Sequence, residues 1–195
     1  MALVSGRSVA DLATRIAPLQ LPLGGVHGLE RLGADGRRLD NGNSPQSLEA
    51  AKSAVHQLVT ADPRLFAEDK GSAVAVHYRM APDRADDVET WMRQQCQRIG
   101  PPARLQYGKA VVELVLGEST KADAVTDFMA EAPFRNRNPI FVGDDTTDEP
   151  ALQRVNELGG VAIHVGDRSD TCAPYRLPDV AAVHDWLRRL SPIVS

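Results

Sequence analysis

The sequence is most informative at one stretch, Ile140-Phe141-Val142-Gly143-Asp144-Asp145-Thr146-Thr147-Asp148-Glu149. A short apolar run ends at a glycine and is followed at once by acidic residues. A run of this kind is typical of a parallel strand that is covered on both faces. The carboxyl ends of such strands line the crevice in which open α/β sheets bind ligands. The stretch therefore predicts a strand that delivers carboxylates to a functional site.

The acidic residues after this strand allow two interpretations. Adjacent carboxylates repel one another unless a positive charge lies between them, and oxygen ligands suit Mg²⁺. We therefore predict that Asp144 and Asp145 bind magnesium. The competing interpretation is a helix start, with Thr147 as the N-cap and acidic residues in the first turn. Helix capping explains Thr147 and its neighbours but gives Asp144 and Asp145 no role, so the metal site is favoured.

Length and composition limit the classes of function. A chain of 195 residues suits one good-sized domain or two small ones, and it can bury a real core. The net charge of −4 argues against a nucleic-acid partner, and no apolar run approaches the ~20 residues of a membrane span. The two cysteines, Cys96 and Cys172, fit neither a disulfide framework nor a metal-binding spacing. We expect no nucleic-acid or membrane partner and a cytoplasmic location.

Strand-like and helix-like segments alternate along the chain, which predicts an α/β architecture. The middle of the chain differs, because two helices and two alternating strands there predict an α+β module with helices on one face of an antiparallel sheet. We predict a doubly wound core at 1–35 and 117–195, interrupted by an inserted domain at 36–116. The main predicted segments are strands at 2–4, 21–26, 73–79, 107–116, 140–143 and 161–165, and helices from Ser8, Ser44, Pro82, Thr120, Thr147 and Pro178.

Two further positions have the character of an anion site. Lys121 lies at the start of a predicted helix, where the helix dipole disfavours a cation, so a phosphate or a carboxylate should offset the cost. Ser5 and Arg7 follow a short apolar strand, where a loop and a helix N-terminus offer N–H groups to an anion. The simpler alternatives are a solvated surface lysine for Lys121 and an ordinary strand-to-helix turn for Ser5 and Arg7.

Several polar residues on predicted strands or beside glycines could bind a polyhydroxylated ligand. Lys109 and Glu113 are four residues apart and would share one face of a single strand. For each of these residues a solvated strand face is the alternative. The full set is His27, Glu30, Arg79, Lys109 and Glu113.

Seven blocks occur in a fixed order along the chain: Leu3-Val4-Ser5-Gly6-Arg7-Ser8, Gly25-Val26-His27-Gly28-Leu29-Glu30-Arg31, His77-Tyr78-Arg79, Gly108-Lys109-Ala110-Val111-Val112-Glu113, Lys121, Phe128-Met129-Ala130-Glu131-Ala132-Pro133-Phe134 and Gly143-Asp144-Asp145-Thr146-Thr147-Asp148-Glu149. Taken together, they resemble the bacterial trehalose-6-phosphate phosphatases of the haloacid dehalogenase superfamily. The resemblance covers nearly the whole chain. It implies a haloacid-dehalogenase-like core with an inserted α+β cap.

The resemblance also implies roles for single residues. Ser5 would hold a phosphoryl oxygen, and Lys121 would neutralise the nucleophile and the phosphate. Asp144 would bind Mg²⁺, with Asp145 beside it. Lys109 and Glu113 match cap residues that face the sugar. The other substrate-binding residues carried over are Arg7, His27, Glu30 and Arg79.

One family motif is absent from the 195 residues. The family's nucleophile and its general acid and base are the aspartates of an Asp-x-Asp-Gly-Thr motif, which the sequence lacks. The implied activity is hydrolysis of trehalose 6-phosphate to trehalose and phosphate through an aspartyl-phosphate. We expect an N-terminally truncated, monomeric form that lacks a central strand and is inactive and poorly stable alone. The alternative is a non-catalytic protein that binds sugar phosphates, or one half of a split enzyme.

Overall fold

The structure is a computed structural model that describes residues 1–40 and 46–190. The chain divides into two compact units, Met1–Ser119 and Thr120–Ser195. The predicted turn at 41–43 and the predicted helix start at Ser44 and Pro45 lie outside the described residues. The predicted boundaries of core and inserted domain remain predictions. In the described ranges no helix combines the length and the apolar character that a membrane crossing needs.

The first unit begins with a small mixed sheet. It contains strands β1 (Leu3–Val4), β2 (Leu23–Gly25), β3 (Glu30–Leu32) and β4 (Arg38–Asp40), in that order, and β1 pairs with β2 in parallel. Helix α1 (Val9–Ile16) follows β1. Its N-cap is Ser8, as predicted, because the Ser8 hydroxyl accepts a hydrogen bond from the Asp11 N–H at 3.2 Å. Strand β4 was not predicted.

The first unit also contains a second sheet, in which every neighbouring pair is antiparallel. Its order is β5 (Phe66–Asp69), β6 (Ala73–His77), β8 (Val111–Leu116) and β7 (Ala103–Gly108), and we call it the β5–β8 sheet. Helices α2 (Gln46–Ala61) and α3 (Ala85–Ile99) pack on one face through a shared apolar core. This confirms the predicted α+β arrangement. Members of the core include Leu48, Val55, Val74, Val76, Val88, Met92, Val112 and Leu114.

Two strand predictions for this sheet were wrong. The segment 73–79 was expected to alternate between a buried and an exposed face. Residues 73–76 are all buried, because α2 and α3 cover one face and Val26 and Leu29 pack on the other. The segment 107–116 was expected to be one strand. It is a hairpin of β7 and β8, which turns at Lys109 and Ala110, and Ala110 has a φ of 58°. Strand β5 was not predicted.

The second unit contains a parallel sheet with the order β11 (Tyr175–Leu177), β10 (Val161–Val165) and β9 (Ile140–Gly143). The helices are α4 (Lys121–Ala130), α5 (Glu149–Glu157) and α6 (Val180–Leu190). Residues of α4 and α5 form an apolar core with Ala162 of β10. Strand β9 was expected to be covered on both faces, but Ile140 is exposed, Phe141 and Val142 are half-buried, and only Gly143 is buried. Strand β11 was not predicted.

Candidate functional site

The turn after β9 is built around the carboxylate of Asp148. Its Oδ2 accepts hydrogen bonds from the Asp144 N–H at 3.1 Å and the Asp145 N–H at 3.0 Å. Residues Thr146–Asp148 form a short 3-10 helix whose N-cap is Asp145. The prediction of Thr147 as the N-cap is therefore wrong, because the helical turn starts two residues earlier than expected and Asp145 is its N-cap. We call residues 144–148 the acidic turn.

The acidic turn contacts a buried lysine of α4. The Nζ of Lys121 lies 2.6 Å from Oδ1 of Asp148, and the two residues are 7% and 4% exposed. Lys121 is the first residue of α4, which begins with a capping box formed by Thr120 and Asp123. The predicted anion beside Lys121 is therefore present in this unit as a carboxylate. Asp148 was expected as an acidic residue in the first turn of a helix, and its contact with Lys121 was not predicted.

Gly143 allows Asp148 to pack against the end of β9. A Cβ atom on Gly143 would lie 2.6 Å from both Cβ and Cγ of Asp148 and 2.7 Å from its Oδ2. Distances this short are incompatible with van der Waals contact. The glycine that ends the apolar run is thus required by the side chain that organises the turn.

The oxygen donors of the acidic turn suit magnesium in their chemistry. Asp144 and Asp145 are exposed, and Asp145 Oδ1 accepts a hydrogen bond from the Thr146 hydroxyl at 2.9 Å. No group of three or more metal-ligand side chains is assembled within the part of the chain that the structure describes. Mg²⁺ is commonly bound by one or two carboxylates together with waters and substrate phosphates. Two carboxylates fit that pattern, and the magnesium site remains a prediction.

In the first unit, the loop Ser5–Arg7 is joined to the turn that contains His27. The His27 N–H donates to the Ser5 carbonyl at 3.0 Å, and the Val26 N–H donates to the Arg7 carbonyl at 2.8 Å. A Cβ on Gly6 would lie 2.7 Å from the His27 ring, so only glycine allows this approach. Val26 and His27 have φ values of 44° and 57°, a region that non-glycine residues rarely occupy. The two predicted blocks therefore form one local structure.

The side chains of Ser5 and Arg7 remain accessible. The Ser5 hydroxyl is half-buried and accepts a hydrogen bond from the Arg7 N–H at 3.2 Å. The Arg7 guanidinium is exposed and pairs with Asp11 at 2.9 Å. Two arginines next to Asp11, Arg15 first and then Arg7, lower the pKa of this carboxyl group.

His27 leads to a buried polar cluster centred on Glu113, which is 5% exposed. Glu113 Oε2 lies 2.8 Å from Lys70 Nζ and 3.5 Å from His27 Nε2. Burial raises the pKa of Glu113, but hydrogen bonding with His27 and the charge of Lys70 lower it by more. The net pKa lies below that of an ordinary glutamate. The other oxygen, Oε1, is buried and has no hydrogen-bond partner among the described residues.

Lys70 and its neighbour Glu68 extend this cluster, and the sequence did not single them out. Lys70 Nζ lies 3.9 Å from Glu68 Oε2, which in turn is 2.9 Å from His77 Nε2. Both residues belong to β5 or the turn after it, a strand that the alternation of polar and apolar residues did not reveal. The sequence offered one indication of Lys70, which is that it is followed by a glycine shortly before β6.

Glu30 has a structural role in addition to any binding role. It is buried, and its Oε2 accepts a hydrogen bond at 2.7 Å from the N–H of Val9, the first residue of α1. The carboxylate therefore satisfies one of the donors that a helix N-terminus leaves free. The same Oε2 lies 4.0 Å from Nη2 of Arg38, which adds a weak ion pair. The predicted contact of Glu30 with substrate remains a prediction.

Arg79 and Lys109 are exposed. Lys109 lies in the turn between β7 and β8, whereas Glu113 lies within β8, so the prediction that they share one face of a strand is wrong. An open groove of about 600 Å³ also occurs in the first unit, between the end of α1 and the β3–β4 turn. Its lining contains none of the predicted site residues, so it does not mark the candidate site.

Residues 1–181 match the protein family described as trehalose-phosphatase. The chain is 38% identical over 192 residues to the trehalose-6-phosphate phosphatase of Escherichia coli (strain K12), covering 98% of the chain and 71% of that protein. It is 39% identical over 166 residues to the probable trehalose-phosphate phosphatase of Sinorhizobium fredii, covering 85% of the chain and 62% of that protein. The chain thus spans part of the length of each relative.

A crystal structure of a trehalose-6-phosphate phosphatase related protein has the same fold. It superposes with a TM-score of 0.82 at 24% identity, over 98% of this chain and 80% of that chain. The predicted fold class, an α/β haloacid-dehalogenase-like architecture, is confirmed.

Proposed function

The chain belongs to the trehalose-phosphatase family, and from that premise we propose that it carries the substrate-binding and charge-neutralising residues of a magnesium-dependent trehalose-6-phosphate phosphatase. The observation that carries the proposal is the buried pair of Lys121 and Asp148 at the carboxyl end of β9. Burying an ammonium group is costly unless it is paired, and its three donors can serve more than one oxygen. A phosphate oxygen would satisfy donors that Asp148 leaves free.

Each residue of the proposed phosphate site has a separate role. The Ser5 hydroxyl donates a hydrogen bond to a phosphoryl oxygen. Lys121 neutralises the negative charge that develops during phosphoryl transfer. Asp144 and Asp145 hold Mg²⁺, which when bound acts as a Lewis acid on a phosphoryl oxygen.

The sugar is assigned to the polar cluster of the first unit. The buried Oε1 of Glu113 has no partner in residues 1–40 and 46–190, and a buried carboxylate oxygen without a hydrogen bond is costly. A sugar hydroxyl is a suitable donor. His27 and Lys70 fix the other oxygen of Glu113 and so hold the carboxylate in one orientation. Arg7, Glu30, Arg79 and Lys109 are proposed as further substrate contacts on the family resemblance.

The catalytic nucleophile is not assigned to a residue of this chain. The Asp-x-Asp-Gly-Thr motif is absent from residues 1–195, and the family reaction needs its first aspartate for the aspartyl-phosphate. We therefore expect the 195-residue polypeptide to bind trehalose 6-phosphate and to release no phosphate from it. A monomeric state and a cytoplasmic location are part of the same proposal.

The test is calorimetric titration of the full chain with trehalose 6-phosphate in the presence of Mg²⁺, together with a phosphate-release assay. We expect saturable binding, weakened at least about tenfold by Lys121→Met or Ser5→Ala, since each removes a charged or polar phosphate contact. Glu118→Ala, at an exposed position, is the control. Absence of saturable heat in the unmodified chain contradicts the proposal. Magnesium-dependent phosphate release that scales with the purified chain contradicts the expected inactivity.

A second candidate is a non-catalytic sugar-phosphate-binding protein or one half of a split enzyme. The buried polar cluster around Glu113 permits it, because a protein can bind a sugar phosphate with these residues without hydrolysing it. Mixing the chain with a polypeptide that carries an Asp-x-Asp-Gly-Thr strand separates these alternatives. Restored phosphate release supports the phosphatase assignment, including a split form of the enzyme, whereas binding that never leads to phosphate release in the mixture supports a non-catalytic protein.

A further inference from the structure

The β5–β8 sheet has a polar face opposite the one that α2 and α3 cover. The strand register places Phe66 beside His77, and Glu68 beside Ala75. Ala75 in turn pairs with Glu113, and Glu113 pairs with Gln106. Because paired residues of neighbouring strands point to the same side of a sheet, these side chains share one face. The face therefore combines an aromatic ring, two carboxylates and an amide.

One end of this polar face is covered and the other is open. Ala73 and Val115 are buried against Val26 and Leu29. At the opposite end Phe66 is 63% exposed and His77 is half-buried. An exposed phenylalanine retains apolar surface in contact with water, which a ligand could remove. The open end is thus the part of the face that a ligand can reach.

The ring of Phe66 is held in a defined position. Its centroid lies 5.7 Å from that of His77, with an interplanar angle of 47°. His77 Nε2 is 2.9 Å from Glu68 Oε2, and Lys70 links Glu68 to Glu113. The exposed ring therefore belongs to the same chain of contacts as the buried carboxylate with an unpartnered oxygen. Such a ring has little conformational freedom to lose when a ligand stacks on it.

The chemistry of this face suits a pyranose ring. Hydroxyl groups project from the edge of a pyranose and can donate to carboxylates, while its C–H groups form an apolar surface that can lie on an aromatic ring. Small-molecule sites combine in this way an apolar or aromatic lining with a few fixed polar groups. Glu68 and Glu113 supply the acceptors, and Phe66 supplies the apolar surface.

We propose that Phe66, held by His77, is a specificity-determining residue on which a glucose ring of the substrate stacks. This inference rests on the proposed function, because it assigns one residue to the sugar side of that site. Phe66 recognises the ring and leaves the phosphate contacts unaffected. Ligands that carry a phosphate without a pyranose therefore bind independently of Phe66.

The test is calorimetric titration of the full chain and its variants with trehalose 6-phosphate, with glycerol phosphate as a ligand that has no ring. Phe66→Ala should weaken the binding of trehalose 6-phosphate about three- to tenfold, the range expected for loss of an aromatic contact. Phe66→Trp should retain the affinity. Leu19→Ala is the matched control, because Leu19 is also 63% exposed and lies in the same unit. Glycerol phosphate should bind the unmodified chain and Phe66→Ala equally.

The outcomes separate the two proposals. If trehalose 6-phosphate binds the unmodified chain and Phe66→Ala leaves its affinity unchanged, the stacking role is wrong and the proposed function stands. An equal loss with both phosphate ligands assigns the effect of Phe66→Ala to general disruption and also overturns the stacking role. If the unmodified chain binds neither ligand, both proposals fail. Circular dichroism of each variant establishes that it is folded.

Discussion

The ammonium group of Lys121 and the carboxylate of Asp148 form a buried ion pair at 2.6 Å, between the first residue of α4 and the turn after β9. The same carboxylate accepts two backbone hydrogen bonds from Asp144 and Asp145. Asp148 thus connects the cation to the two exposed carboxylates through the backbone that carries them. Replacing either partner of the pair should therefore change the conformation of the acidic turn.

Removing one partner of this pair should be strongly destabilising. Lys121→Met leaves the Asp148 carboxylate buried without its cation, and breaking a buried pair in this way costs about 3–5 kcal/mol. Urea unfolding can be followed with Trp186, which lies in α6 of the second unit, in a Trp91→Phe background. The double variant Lys121→Met/Asp148→Asn should lose less than the sum of the single variants. Strictly additive losses would show that the two side chains are not coupled.

Glu30 should stabilise α1 through its contact with the Val9 N–H. Glu30→Ala leaves that buried donor without a partner, at a cost of about 1–3 kcal/mol. Glu30→Gln should cost less, because the amide oxygen can still accept the bond. Urea unfolding monitored by Trp91 in a Trp186→Phe background measures both, with Glu118→Ala as an exposed control. An equal loss in Glu30→Ala and Glu30→Gln would indicate that charge, and not the hydrogen bond, is what matters.

Glu113 should make the stability of the first unit depend on acid pH. Its pKa in the folded state lies below the ordinary value of 4.5, because His27 and Lys70 outweigh the effect of burial. The stabilisation is therefore fully present above the unfolded pKa and is lost as the pH falls through the folded pKa.

The measurement for Glu113 is the free energy of unfolding, followed with Trp91 from about pH 7 down to about pH 3, the range that spans carboxyl titration. Glu113→Gln cannot titrate and should lose less stability over the acid part of this range than the unmodified chain does. Asp62, whose pKa is lowered to about 2, contributes the same dependence on acid pH to both proteins. Identical pH profiles would contradict the assignment to Glu113.

Cys172 should react slowly with alkylating agents. Cys172 is exposed, but partial desolvation of its thiol and the hydrogen bond and charge of Glu149 raise its pKa to about 11. Because the thiolate is the nucleophile, the rate at about pH 8 should be roughly 100-fold below that of a thiol with an ordinary pKa. Iodoacetamide labelling in a Cys96→Ser background, read by mass spectrometry, measures the rate. Glu149→Gln should accelerate it, whereas an unchanged rate would exclude Glu149 as a cause.

The sequence predicted the local structure well wherever a pattern has a local cause. Ser8 caps α1 as expected, and the glycine-to-acidic transition at Gly143 marks the end of β9. The anion expected beside Lys121 is present. These features depend on neighbouring residues and on helix or strand periodicity, which a sequence displays directly.

The sequence did not predict those parts of the structure that depend on partners distant along the chain. The short strands β4, β5 and β11 are stabilised by pairing with neighbours and have no pattern of their own. The hairpin at Lys109 was not predicted because Ala110, which is not a glycine, has the positive φ of 58° in its turn. Lys70 was missed because its importance arises from Glu113, which is 43 residues away.

The backbone bonds between the Ser5–Arg7 loop and the turn at Val26 and His27 have a thermodynamic consequence. His27 belongs both to the contact with the loop and to the Glu113 cluster. Its N–H donates to the Ser5 carbonyl, and its ring contacts Glu113. A ligand that orders the loop should therefore raise the affinity of the Glu113 cluster for its own ligand, and the reverse effect must be of equal size. If phosphate binds at the loop and trehalose at the Glu113 cluster, as proposed, inorganic phosphate and free trehalose should each increase the affinity for the other by the same factor.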